Sequence, residues 1–226
     1  MATKKVNNKP DNNQAVGEAV SGLELFLKKN GNLLSTIILV VLLVVCAILA
    51  LNRWVLKPAQ KEARAAAAAA DRYFQMSEYE QALNGDGNVL GLADVIGQYG
   101  KKAGEGVYFQ AGVCQLQLKN YAEAVEYLKK YNGKDPILKA RALSCMGDAY
   151  VGLDDKEAAL AAYKSAIKTD DTPLAAEYLL KAALTAEDLG KKEEALAFYN
   201  KIKVNYPTST EAVEIDKYIY RLENAE

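Results

Sequence analysis

The stretch VYFQAGVCQLQLKNYAEAVEYLKKYNGKDP, residues 107–136, decides the fold, because the chain repeats its pattern twice more. The segments ALSCMGDAYVGLDDKEAALAAYKSAI (142–167) and EYLLKAALTAEDLGKKEEALAFYNKIKVNYP (177–207) fall into register with it. Gly112, Gly147 and Ala183 recur at steps of 35 and 36 residues, and Ala124, Ala159 and Ala195 recur at the same steps. Leu128, Tyr163 and Tyr199 each follow the alanine by four positions, and Pro136 and Pro207 close two of the units. Two helices pack closely only where the side chain at the crossing is tiny, so the small residues mark crossings and the rings fill the space beside them. One such pair cannot bury both of its faces, and the units are therefore expected to stack.

The pattern is similar to the tetratricopeptide repeat, with its small residue in helix A, its Ala and aromatic in helix B and its closing Pro. It predicts an all-α superhelix of three to four units. Residues 106–209 hold three repeats, and 52–105 hold an Ala-rich helix (59–83) and a degenerate first repeat completed by 89–99. Residues 210–226 form a capping helix and tail, introduced by the Pro207-Thr208-Ser209 capping sequence. Tyr108, Tyr150, Tyr163 and Tyr199 are read as core.

The chain has 226 residues, with 28 Lys+Arg against 29 Asp+Glu, no His and three Cys. A net charge of −1 provides no field to draw the chain onto nucleic acid. Without His, Ser-His and Cys-His catalysis are excluded, and three scattered cysteines build neither a four-Cys zinc site nor a disulfide framework. Asn84-Gly85-Asp86-Gly87-Asn88 has too few acids for a calcium loop and reads as a turn. The pairs Asp154-Asp155 and Asp170-Asp171 read as turn or capping residues, and Cys114 and Cys145 as buried thiols on neighbouring A helices. No catalytic residue, cofactor, metal or small-molecule substrate is expected.

The charge is uneven: residues 1–57 carry seven Lys/Arg against three acids, and 58–226 carry 21 against 26. Within the basic part, LLSTIILVVLLVVCAILAL (33–51) is uncharged for nineteen residues, fourteen of them Leu, Ile or Val. As a helix it is about 28 Å long, the thickness of a bilayer's hydrocarbon. Lys28 and Lys29 border it on one side, and Arg53 and Trp54 suit the interface on the other. The run is longer than a cleaved signal's core and follows a 32-residue leader, so it reads as an uncleaved transmembrane helix. The leader divides into a disordered, Asn- and Lys-rich start (1–14) and a short amphipathic helix carrying Val16, Ala19, Val20, Leu23, Phe26 and Leu27. Local charge counts favour a cytoplasmic repeat domain. Long domains cross largely regardless of such charges, so the reading is N-terminus cytoplasmic with the repeats on the far side.

Helix A lines the inner surface of such solenoids. By registration, the partner-binding groove is expected from Phe109, Val113 and Leu116, then Arg141, Ser144, Asp148 and Val151, then Glu177, Leu180, Leu184 and Glu187. Apolar ends with a charged middle suit an extended peptide or a partner's helix. The Lys/Arg/Asn cluster that grips a terminal carboxylate in some repeats is missing, since Phe109, Val113, Cys145 and Asp148 hold those positions.

The order of an early span (33–51), an Ala-rich helix (59–83) and repeats ending at Pro136 and Pro207 resembles the tetratricopeptide proteins anchored in the bacterial inner membrane. These include the ancillary subunit of the Sec translocon. The resemblance implies a periplasmic domain that works with the translocon and with membrane-anchored chaperones or their clients. An alternative of a different class is a structural scaffold that organises an envelope or secretion assembly through its convex surface, around Glu126 and Lys164.

Overall fold

A computed structural model describes residues 12–224, and of residues 12–27 and Val55 it describes the backbone alone. The described chain is helical, without strands. It divides into two compact units at Pro58, each described by itself below.

The first unit is built on one helix, α1 (Asn12–Leu51), followed by a π-helical turn over Asn52–Leu56. Helix α1 runs through Gly31 without a break, so the leader's expected short helix is the first part of a longer one. Of the start expected to be disordered (1–14), residues 12–14 instead form the first turn of α1, and residues 1–11 lie outside the described residues, as do the side chains of the amphipathic face. From Ile37 to Leu51 the large apolar side chains are all exposed, and the helix is long and apolar enough to cross a membrane. Two hydroxyls in the apolar stretch are satisfied locally, since Ser35 Oγ and Thr36 Oγ1 donate to the Asn32 carbonyl at 2.9 and 2.8 Å.

The second unit, Ala59 onward, stacks antiparallel helix pairs. The pairs are α2 (Lys57–Gln75) with α3 (Tyr79–Asn84), α5 (Glu105–Gln117) with α6 (Tyr121–Lys130), α7 (Pro136–Gly152) with α8 (Lys156–Thr169), and α9 (Ala175–Asp188) with α10 (Lys192–Asn205). Helix α4 (Leu92–Tyr99) lies between the first two pairs, and α11 (Ile215–Glu223) packs on α10. The repeat signature explains the packing. A Cβ on Gly147 would come within 2.4 Å of the Tyr163 ring, and one on Gly112 within 2.6 Å of the Leu128 side chain. Ala124, Ala159 and Ala195 are fully buried, and Tyr163 and Tyr199 sit in the core beside them.

One feature departs from the expected helix over 59–83: it is two helices. Ser77 takes a left-handed φ of 62°, and the Glu78 amide reaches back to the Tyr73 carbonyl at 2.9 Å. The same turn recurs at Lys119, Asp154 and Gly190, with φ of 64°, 58° and 71°. There Asn120, Asp155 and Lys191 amides close on the carbonyls of Gln115, Tyr150 and Ala186. The turn divides 59–83 into α2 and α3, with Ala82 buried as Ala124 is in the next unit, and part of 89–99 forms a helix of its own, α4. The predicted turns carry their acids as caps. Asp86 accepts from the Asn88 and Val89 amides, Asp155 from Ala158 and Asp170 from Thr172.

Candidate functional site

The A helices of successive pairs present their first faces to a shared concavity of about 520 Å³. Helix α5 contributes Phe109, Val113 and Leu116, and α7 contributes Arg141, Ser144, Cys145 and Asp148. Helix α9 contributes Glu177, Tyr178 and Lys181, while Phe74 and Tyr79 close the end nearest the first hairpin. The cavity is thus apolar on one side and charged on the other. Phe74 and Tyr79 meet edge to face at 6.2 Å, and Phe109 leans on Tyr131 at 5.7 Å, which stiffens the apolar wall.

The charged wall is organised around Asp148. Its carboxylate accepts from the Tyr163 hydroxyl at 2.7 Å and from Lys181 Nζ at 2.9 Å, and Lys181 also reaches Glu177 at 2.9 Å. Burial works against the charge on Lys181, but Asp148 and Glu177 outweigh it and raise its pKa. Burial, then the Asp148 charge and hydrogen bond, raise that of Tyr163. Burial first and Asp148 second push the Cys145 thiol up to about 11, away from the thiolate that a nucleophile needs. Two groups on the α7 face stay open. Arg141 is exposed and has no carboxylate partner among the described residues, and the Ser144 hydroxyl is buried without a hydrogen-bond partner. Among the described residues no three His, Cys, Asp or Glu side chains gather as a metal would require. The arrangement can hold and orient a chain; it contains no activated nucleophile.

Phe109, Val113, Leu116, Arg141, Ser144 and Asp148 therefore converge, together with Glu177, whereas four expected groove residues lie elsewhere. Val151 is 46% exposed near the end of α7, and Leu184 is 40% exposed on α9. Leu180 packs toward the C-terminal cap, beside Val213 and Tyr218, and Glu187 is held by Arg221 and by the Tyr199 hydroxyl. For Leu180 and Glu187 the physical reason is the end of the stack, where the cap covers part of α9 that a further repeat would otherwise meet; Val151 and Leu184 are exposed outside the concavity. Registration missed Phe74, Tyr79, Tyr178 and Lys181. The spacing Glu177–Lys181, one helical turn, was the available signal for the last of these.

Residues 106–133 and 146–210 match tetratricopeptide-repeat family models. The matches cover α5 and α6 and then the last part of α7 (146–152) with α8, α9 and α10. No curated protein matches the chain. The chain contains tetratricopeptide repeats, modules that hold other proteins, and has one N-terminal helix that by length and composition suits a bilayer.

Proposed function

We propose that the chain is a non-enzymatic adaptor, anchored in a bacterial inner membrane by residues 33–51, whose α5–α7–α9 concavity grips a segment of a partner protein. The observation that carries this reading is the pairing of an apolar wall (Phe109, Val113, Leu116) with an unpartnered Arg141 one repeat away. An apolar side chain of the partner rests on the first, and an acidic side chain or carbonyl accepts from the second. Lys181, Asp148 and Glu177 satisfy one another and set the shape between them.

The repeat domain faces the periplasm, and the partner is a translocon-associated chaperone or an emerging client. The early span, Ala-rich helix and repeat order, similar to the anchored tetratricopeptide proteins, support this narrower reading. A scaffold acting through its convex face is less favoured, because Lys164 on that face is already paired with Glu194 within the domain.

Copurification from detergent-solubilised membranes tests the proposal. A specific partner should be recovered with the native chain and lost with Phe109→Asp and Arg141→Glu. Recovery unaffected by both would sink the groove reading. Separately, a cysteine introduced at Asn224 should react with a membrane-impermeant maleimide from the periplasmic side; protection there would place the domain in the cytoplasm and remove the translocon reading.

A further inference from the structure

A second surface lies where α6 turns into α7, outside the concavity. Between residues 129 and 141 the sequence KKYNGKDPILKAR carries five cations and one acid, within a segment (58–226) that is acidic overall. Asp135 does not neutralise the cations through an ion pair, since its carboxylate caps α7 by accepting from the Leu138 amide at 2.9 Å. Several lysines of the later repeats are paired, Lys156 with Asp188, Lys164 with Glu194, Lys191 with Glu157 and Lys203 with Asp216, while Lys119, Lys168 and Lys201 are unpaired among the described residues but scattered singly. Among the described residues Lys129, Lys130, Lys134 and Lys139 have no carboxylate partner; Lys129 and Lys130 lie only over the rings of Tyr150 and Tyr127. Lys129 and Lys130 end α6, where a cation suits the helix dipole. Lys139 lies near the start of α7, where the helix dipole does not stabilise it.

Two of these cations, Lys129 and Lys139, edge a cleft of about 210 Å³ floored by Leu128, Tyr131, Leu143 and Met146. Ile137 and Leu138, just before Lys139 in sequence, are 40% and 41% exposed. A concave apolar floor admits one large side chain, which a protein supplies and a flat lipid surface does not. We propose that this corner is a second docking site, for a short acidic segment of a protein partner that inserts one Leu or Phe between Lys129 and Lys139. The unpaired cations supply the charge complementarity, and the cleft supplies the anchor. Because the site shares only the Tyr131 ring with the wall behind Phe109, it works beside the concavity rather than as part of it.

The test uses the full chain in nanodiscs of phosphatidylcholine, with a fluorescein-labelled, C-amidated peptide Asp-Glu-Leu-Phe-Glu-Asp as probe. Fluorescence anisotropy should show saturable binding, weakened about tenfold or more by the double variant K129E/K139E and by replacing the peptide's acids with lysines. Phe109→Asp should change it less than about twofold, which separates this site from the groove. Both lysines are exposed and outside any ion pair, so the fold is expected to persist with only a small drop in melting temperature, from Lys129 leaving the Tyr150 ring and the end of α6. Three results would overturn the proposal: no binding below about 1 mM, binding lost with Phe109→Asp but kept by K129E/K139E, or amide protection of 131–139 without peptide when phosphatidylglycerol is added to the discs. The last would make the corner a lipid-facing surface.

Discussion

Arg221 Nη2 bridges both carboxylate oxygens of Glu187, at 2.8 and 2.6 Å, and so fastens the last helix across the last repeat. Tyr218, one turn earlier on α11, stacks on Tyr199 at 5.4 Å and lies under the Arg221 guanidinium. Arg221→Ala removes the tether. Because Arg221 is more than half exposed, the expected loss is modest, about 0.5–1.5 kcal/mol. Hydrogen exchange should accelerate at the amides of α11 and remain unchanged in α5. Uniform acceleration across the stack would contradict the assignment of α11 as a locally held cap.

Gly147 and Tyr163 form the closest crossing of α7 and α8. Gly147→Ala drives its Cβ into a ring that is 2% exposed and tied by its hydroxyl to Asp148. A destabilisation of about 1–3 kcal/mol is expected by urea denaturation. In the Tyr163→Leu background the same change should cost measurably less, because the ring is gone; equal costs in the two backgrounds would disprove the contact.

Ser77 shares its left-handed turn with Lys119, Asp154 and Gly190, yet only the last is a glycine. Ser77→Gly should stabilise by about 0.5–1 kcal/mol, and Ser77→Val should destabilise by about 1 kcal/mol or more. A stability unchanged by both substitutions would mean that α2 and α3 are not separated by this turn.

Alkaline pH should weaken the domain. Burial pushes Cys114 up to about 12 and, with Asp148 second, Cys145 up to about 11, against 9.0 for an ordinary thiol. Above pH 9.0 the unfolded chain sheds these protons while the fold keeps them, so stability falls as pH rises toward the native values. Lys181 acts in the same direction: its raised pKa supplies stability that is complete below 10.5 and lost above it. The urea midpoint should be flat from about pH 7 to about pH 8.5 and then decline, with a shallower decline in Cys114→Ala. A midpoint that rises above pH 9 would reverse the sign and refute the account.

The repeat was legible because its physics demands particular residue types at fixed places: a crossing as tight as Gly147 on Tyr163 takes only the smallest side chains, Gly or the Ala183 of the last repeat, so the spacing survives in the letters. The Ser77 turn was not, because its geometry is held by backbone hydrogen bonds, and Met76-Ser77-Glu78 carries no Gly, Pro or Asn to announce it. Aligning Tyr79–Leu83 with Tyr121–Val125 would have exposed it through Ala82 and Ala124. The groove was half legible. Registration with the repeat identified Phe109, Val113, Arg141 and Asp148, but it could not tell that α11 would return over Leu180 and Glu187, since that contact joins segments distant in sequence. Lys181 escaped for the opposite reason: it looks like a solvated surface charge until Asp148, from another repeat, is brought beside it.

Site-specific photo-crosslinking in intact membranes tests the central claim most directly. A photoreactive residue at Val113, inside the concavity, should give a discrete ultraviolet-dependent adduct with another polypeptide, lost when Phe109→Asp is added, while the same residue at Glu126 on the outer face gives none. Adducts at Glu126 with none at Val113 would contradict the groove and leave the convex scaffold in its place.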